Sequence, residues 1–217
     1  MLKTSREYNT CCIYFDRMRI VWNSMLKDDI TIHNPFNKWR SPKKRETKTT
    51  FLEPSEVKQL EEYSVKNPSI VLLAFLFGCY TGLRYSDQRQ LKWSDIDGEI
   101  LRKRQKKSNT MLQVYLSKKA ISIIERIENH SEYVFNGLPY NSSYNSHLRK
   151  VAKAIGIDKK VTSHVARHSF GVETQSKGKD IYKTSKAMGH ASIRDTTRYA
   201  KVKPVDLKET TSKNFIE

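Results

Sequence analysis

Two short segments near the C-terminus contain residue types that could perform chemistry on a phosphate. His164 and Arg167 are three residues apart, so on a helix both would project from one face and reach a single anion. Arginine binds phosphate oxygens through a bidentate fork, and histidine can move a proton near neutral pH. The second segment is Gly189-His190, followed nine residues later by Tyr199. A tyrosine phenol can attack a phosphodiester when nearby cations or a base favour its ionised form.

Two further cations precede these segments in the chain. Arg84 follows Gly82, which is typical of a helix end, and Asp87 is expected to orient the Arg84 guanidinium through a salt bridge. Lys107 ends a predicted strand just before a polar turn, where its ammonium could protonate a leaving oxygen as a general acid. Lys106 is adjacent and stays open as the alternative. Taken alone, Arg84 also fits a surface residue, and either lysine fits a contact to a nucleic-acid backbone.

The spacing of apolar residues predicts the elements that would position these groups. Helical periodicity dominates the chain, and two segments on either side of a polar turn alternate as in a β-hairpin. The predicted helices cover residues 14–26, a segment opening at 53–56, and residues 70–82, 84–91, 118–129, 145–155, 165–176 and 181–188; the predicted strands cover 100–106 and 112–117. A last helix is predicted to present Tyr199. The fold class is therefore expected to be mainly α with a small antiparallel β-sheet (α+β).

The chain is strongly basic: 40 Lys and Arg against 23 Asp and Glu in 217 residues give a net charge of +17. Basic residues recur along the whole length, which indicates a polyanionic partner, and nucleic acid is the commonest one. A membrane partner is not expected, because the longest apolar run, residues 70–80, is shorter than the roughly 20 residues that span a bilayer. No signal peptide is visible, and three cysteines without a disulfide or zinc pattern indicate a reducing cytosol.

In combination, these residues resemble the signature of the tyrosine recombinase (phage integrase) family, which is Arg, Lys, His-x-x-Arg, His or Trp, and Tyr. The matching residues are Arg84, Lys107, His164, Arg167, His190 and Tyr199. Residues 81–87 resemble the family's TGLR-x-S-E/D segment, residues 164–170 resemble HxLRHSF, and residues 188–200 resemble LGH followed by T and Y. Two positions differ from the pattern without removing a catalytic group, since Asp87 stands in place of Glu and Tyr115 in place of Pro.

The resemblance implies a site-specific DNA recombinase or integrase that cuts and rejoins strands through a covalent 3′-phosphotyrosine, without a metal or nucleotide cofactor. Arg84 and Arg167 would clamp the nonbridging oxygens of the scissile phosphate, and Tyr199 would be the nucleophile. His164 would assist proton transfer at the tyrosine. His190 would donate a hydrogen bond to a phosphate oxygen, and the hairpin lysine would protonate the leaving 5′-hydroxyl.

The resemblance also implies partners and a domain organisation. Double-stranded DNA would be bound by a homo-oligomer, a tetramer on DNA with a monomer possible without it, and the protein would be cytoplasmic, bacterial or phage-encoded, and nucleoid-associated. Residues 1–40 would be the C-terminal part of a helical, SAM-like core-binding domain, residues 41–50 a basic linker, and residues 51–217 the catalytic domain. Because the core-binding domain would be partial, DNA binding should depend steeply on salt and show little sequence specificity.

Two other functions fit parts of the same pattern, and the pattern argues against a third. A type IB topoisomerase-like enzyme uses closely related chemistry, and the compact size and basic linker favour the recombinase. A non-catalytic DNA-binding protein on the same fold would not need Tyr199. Metal-dependent DNA cleavage would need a cluster of carboxylates, whereas the acidic residues are scattered along the sequence.

Overall fold

The computed structural model describes residues 5–106, 109–128, 131–177, 180–190 and 192–200, and the chain divides into two units, Met1–Lys48 and Thr49–Glu217. The first unit contains helix α1, Ser5–Lys27, and a 3₁₀ turn, Pro35–Lys38. Helix α1 ends before Asp28, as predicted, although it begins earlier than the apolar periodicity indicated. The turn packs on the helix through Phe36, whose ring lies edge-on to the ring of Phe15 in α1 at a centroid distance of 5.3 Å.

The second unit contains eight helices and three strands in the part of the chain that the structure describes. In chain order they are α2 Pro54–Lys66, α3 Ile70–Thr81, α4 Tyr85–Gln88, β1 Ile96–Asp97, β2 Ile100–Arg104, β3 Met111–Tyr115, α5 Lys118–Glu125, α6 Asn141–Ala154, α7 Ser163–Ser176, α8 Ile181–Met188 and α9 Arg194–Ala200. A 3₁₀ turn, Trp93–Asp95, leads into β1. The mainly helical fold with a small antiparallel sheet is therefore confirmed.

Helix α3 forms the centre of the second unit. Its sequence is apolar on every side, and ten of its twelve residues are buried. The Ser69 side chain caps its first turn by accepting a hydrogen bond from the Leu72 N–H, and Gly82 ends it in the left-handed conformation, with φ +69°. Helices α2, α5, α6 and α7 pack around α3. A helix that is apolar all round needs such complete enclosure.

The three strands form one antiparallel sheet in the order β1-β2-β3. Leu101 of β2 pairs opposite Val114 of β3, and both side chains are buried, so one face of the hairpin joins the core. The predicted hairpin is present, with slightly shorter strands. Strand β1 was not predicted, because its two residues are too few to show a periodicity. Its pairing depends on β2 instead, through Ile96 opposite Leu101.

Several element boundaries differ from the periodicity. Helix α4 has one turn rather than the predicted residues 84–91, and α6 begins at Asn141 rather than at residue 145. The start of α6 is polar, so its first turn has no apolar period to reveal it. Within the described residues, no helix is both long enough and apolar enough to cross a membrane.

Candidate active site

Helix ends and turns of the second unit present the predicted site residues. Arg84 precedes α4, His164 and Arg167 lie on α7, His190 follows α8, and Tyr199 is near the end of α9. Lys107 lies outside the described residues, whereas its alternative Lys106 is described and exposed. The ends of α3, α8 and β2 meet around Arg167, as the following contacts show.

Arg167 is the buried cation of the site, with only 5% of its surface exposed. Its Nη1 donates to the Gly82 carbonyl at 2.6 Å, and its Nη2 donates to the Met188 carbonyl at 2.7 Å. The guanidinium therefore joins the C-terminal ends of α3 and α8. Burial, and after it the nearby charge of Arg84, lowers the pKa of Arg167 to about 10. An anion between the two arginines would relieve both unfavourable effects.

Arg84 is held by Gln105 rather than by the predicted acidic partner. Its Nη1 donates to Gln105 Oε1 at 2.5 Å. The expected salt bridge from Arg84 to Asp87 is wrong: no ion pair of the described residues joins them, and Asp87 Oδ1 accepts the backbone N–H of Lys106 at 3.0 Å. Asp87 is 1% exposed and its short side chain anchors the hairpin end instead. Its other oxygen, Oδ2, has no hydrogen-bond partner in the described part of the chain.

Tyr199 is enclosed, with 2% of its surface exposed. Its Oη lies 3.0 Å from Nδ1 of His168, one helical turn after His164 on α7. The ring rests on Gly171, where a Cβ would come within 2.8 Å of Tyr199 Cε2. Only glycine permits this approach, so α7 supplies both the hydrogen-bond partner of the phenol and the space for its ring.

His190 is the second imidazole beside the phenol. Gly189 ends α8 in the left-handed conformation, and the His190 ring stacks on Tyr199 with a centroid distance of 6.3 Å and an interplanar angle of 13°. Nδ1 of His190 lies 2.7 Å from Oγ1 of Thr196, which is fully buried. The imidazole is thereby oriented by a side chain of the helix that carries Tyr199.

Burial sets the protonation states of these groups. It lowers the pKa of His168 to about 4, with Arg198 as the next cause, and it lowers the pKa of His190 to about 4, with Arg167 as the next cause. Burial also raises the pKa of Tyr199, although Arg167 opposes this effect. At neutral pH the two imidazoles are uncharged and the phenol keeps its proton. A neutral imidazole has one acceptor nitrogen, and the negative charge of a bound phosphate would raise the pKa of His168 toward the range in which it can receive that proton.

His164 is not placed on the phenol. Its side chain is exposed, and its ring centroid lies 6.5 Å from that of His168. The sequence reasoning assigned no role to His168 or to Gln105. His168 had one usable signal, because it lies four residues after His164 and so on the same helix face. Gln105 had none, because its partners are distant in the chain.

Together these residues form a compact cationic site around a phenol. Two arginines converge near the ends of α3 and α8, and two neutral imidazoles contact Tyr199. Such a set can bind an oxyanion and deprotonate a nucleophile. In the described ranges, no group of three or more His, Cys, Asp or Glu residues is arranged to hold a metal ion.

Comparison with known proteins identifies the family. The sequence profile described as the phage integrase family matches residues 50–205. A tyrosine recombinase of Pseudothermotoga lettingae is 28% identical over 216 residues, covering 92% of this chain and 73% of the relative. The XerA recombinase structure shares the fold with a TM-score of 0.65 at 24% identity, covering 83% of this chain and 71% of that one. A lambda integrase dimer bound to a core site gives a TM-score of 0.70 at 17% identity, covering 90% and 79% of the two chains. The chain therefore belongs to the phage integrase family of tyrosine recombinases.

Proposed function

We propose that this protein is a site-specific DNA recombinase that cleaves and rejoins strands through a phosphotyrosine at Tyr199. The observation that carries the proposal is the buried Tyr199 phenol, which lies beside two neutral imidazoles and within the field of Arg84 and Arg167. A structural tyrosine needs no such surroundings. Family membership supports the same reaction class.

The cleavage step balances on the groups of this site. Tyr199 Oη forms a bond to the scissile phosphorus, the bond from phosphorus to the 5′-oxygen breaks, and the leaving oxygen takes a proton from Lys107. The phenol proton passes to Nδ1 of neutral His168. Arg84 and Arg167 bind the nonbridging oxygens and stabilise the charge of the pentacovalent transition state. Rejoining is the reverse, and the phosphotyrosine conserves the energy of the broken bond.

The two remaining histidines have supporting roles in this proposal. His190 donates a hydrogen bond to a phosphate oxygen, and its contact with Thr196 fixes the ring for that purpose. His164, exposed beside His168, assists proton transfer from the solvent side. The role assigned to His164 from the family signature thus becomes shared with His168, which is the imidazole within hydrogen-bond distance of the phenol.

Double-stranded DNA is the proposed substrate. The net charge of +17 supports it, as do the DNA complexes of the structural relatives, which include lambda integrase as a dimer on a core site and as a tetramer on a Holliday junction. We propose that this chain likewise assembles as a tetramer on DNA and acts on nucleoid DNA in the cytoplasm of a bacterial host. We further propose that residues 1–40 belong to a helical core-binding domain, residues 41–50 to a basic linker and residues 51–217 to the catalytic domain, and the division at Lys48 supports this assignment.

The proposed reaction uses side-chain cations in place of a metal ion. The arginines and the hairpin lysine neutralise the phosphate charge that Mg²⁺ often neutralises in other phosphoryl transfers. Cleavage should therefore proceed in excess EDTA. A requirement for added Mg²⁺ in the chemical step would contradict this part of the proposal.

A trapping experiment tests the function on a pool of candidate target sites. The protein is incubated with nicked duplexes that contain a randomised segment, and DNA that stays attached after denaturation in detergent is recovered and sequenced. The proposal predicts covalent adducts enriched in one sequence, and none from the Tyr199→Phe variant. A type IB topoisomerase-like enzyme would give adducts with little enrichment and would relax supercoiled plasmid. A DNA-binding protein without activity would give no adduct.

A further inference from the structure

Gln105 is not one of the six predicted site residues, yet it contacts Arg84 directly and shares the Met188 carbonyl with Arg167. Its Oε1 accepts a hydrogen bond from Arg84 Nη1 at 2.5 Å, and its Nε2 donates to the Met188 carbonyl at 3.2 Å. The same carbonyl accepts a hydrogen bond from Arg167 Nη2 at 2.7 Å. One carboxamide therefore connects the two arginines through a shared backbone oxygen.

The backbone of Gln105 is fixed on both sides of the strand end. Its N–H donates to the Thr110 carbonyl and its carbonyl accepts from the Asn109 N–H, each at 2.9 Å. The next residue, Lys106, donates its N–H to the buried carboxylate of Asp87. The carboxamide thus extends from a main chain that the hairpin and α4 hold in place, so its direction is defined.

The end of α8 is shaped to accept this carboxamide. A Cβ at Gly189 would lie 2.6 Å from Gln105 Nε2 and 2.9 Å from its Cδ. Since φ at Gly189 is also +60°, any other residue there would be strained and would displace the amide. The turn that leads to His190 therefore packs directly on the Gln105 carboxamide.

The burial of Gln105 argues against a space-filling role. The residue is 1% exposed, and a buried amide costs free energy unless its hydrogen bonds are used. An apolar side chain of the same length would fill the space without that cost. What the amide adds is an acceptor for Arg84 and a donor for the α8 end.

We propose that Gln105 is a positioning residue that orients the Arg84 guanidinium toward the scissile phosphate and holds it in register with Arg167. The inference rests on the proposed function. Gln105 itself does not touch the substrate. The guanidinium of Arg84 has five N–H donors. Gln105 accepts a hydrogen bond from one of them and thereby fixes the direction of the others.

The test compares single-turnover cleavage of the duplex recovered by trapping. Gln105→Met keeps the length and removes both hydrogen bonds, and Gln113→Met on the exposed face of the same hairpin is the matched control. We expect Gln105→Met to slow cleavage about 10- to 100-fold, as for a misplaced catalytic group, while DNA affinity changes less than about 3-fold because many backbone contacts determine it. The control should cleave like wild type.

Two further measurements separate positioning from a purely structural effect. A methylphosphonate at the scissile position carries one less negative charge, so its cleavage should depend less on Arg84 and the loss caused by Gln105→Met should shrink. In an Arg84→Ala background, Gln105→Met should add little further loss, because both changes remove one function. If Gln105→Met does not fold, Gln105→Asn keeps the amide but is too short to bridge both partners, and the same losses are expected.

The inference is overturned if Gln105→Met cleaves like the control, if its loss is equal on both substrates, or if its loss adds fully to that of Arg84→Ala. These results would leave the proposed function intact, because wild type would still form the adduct. The absence of any adduct from wild type would contradict the proposed function, and the inference with it.

Discussion

At the scale of single residues, the proposed cleavage depends on how Tyr199 loses its proton. Burial raises the pKa of the phenol, so a base is needed, and burial keeps His168 neutral beside it. Among the described residues it is His168, rather than His164, whose imidazole nitrogen reaches Tyr199 Oη. The family signature identifies His164 but does not show which imidazole contacts the phenol.

Replacement of His168 tests this assignment. His168→Asn keeps a polar atom near the position of Nδ1 but removes the base, so adduct formation should slow about 100-fold, within the range typical of general base catalysis. His164→Asn, its matched variant one turn earlier, should slow the reaction less. Single-turnover rates on the trapped duplex provide the comparison. Equal rates for His168→Asn and wild type would remove His168 from the proton transfer.

The lowered pKa values of His168 and His190 also predict how stability depends on pH. Between pH 6.5 and about 4 the unfolded chain binds protons that the folded protein does not bind at these positions. Their contribution to the free energy of unfolding is therefore complete above pH 6.5 and is lost as the pH falls toward 4. Urea denaturation at several pH values should show this slope, and His168→Asn should flatten it. A slope unchanged in His168→Asn would contradict the assignment.

At the scale of elements, the contact between α7 and α9 decides where Tyr199 lies. Helix α7 carries His168, whose Nδ1 lies within hydrogen-bond distance of the phenol, and Gly171 lets the Tyr199 ring approach the backbone of α7. With 2% of its surface exposed, Tyr199 cannot reach a DNA phosphate without a local movement of the elements around it. The site in this structure is assembled but closed.

Addition of one methyl group at this contact should uncouple binding from cleavage. In Gly171→Ala the new Cβ would lie within 2.9 Å of three Tyr199 ring atoms, so the ring must move away from His168. We expect adduct formation to fall about 10- to 100-fold and stability to fall by about 1–3 kcal/mol, with DNA affinity retained. Gel-shift and adduct assays measure the two effects, and Ser176→Ala, exposed on the same helix, is the control. Normal cleavage by Gly171→Ala would show that the ring position is not critical.

Local sequence patterns predicted most of the helices and strands but not the side-chain hydrogen bonds that connect them. The helix end at Gly82, the α2 start at Pro54 and the hairpin all follow from turn residues and apolar spacing. The Gln105 contacts join residues 21 and 83 positions apart, and periodicity contains no information about such pairs. The Asp87 prediction was wrong for the same reason, because proximity on one helix suggested Arg84 while the hairpin backbone supplied the partner.

At the scale of the whole molecule, the net charge of +17 should dominate DNA binding. Each neutralised phosphate releases counterions, so affinity should fall by about 1,000-fold or more between roughly 50 and 200 mM salt. Fluorescence anisotropy with the trapped duplex and a scrambled duplex would measure both the slope and the specificity. Affinities for the two duplexes should differ less than their cleavage rates, because contacts to the backbone phosphates dominate binding and carry no sequence information. A strong preference for the trapped duplex, with little dependence on salt, would contradict this prediction.

The central claim is that Tyr199 is the nucleophile that becomes joined to DNA. The most direct measurement is mass spectrometry of the trapped adduct after digestion with protease and nuclease. We expect one modified peptide, with the nucleotide attached through its 3′-phosphate to the oxygen of Tyr199, and a free 5′-hydroxyl on the other DNA fragment. Attachment to another residue, or a 5′-phosphate on the released strand, would contradict it.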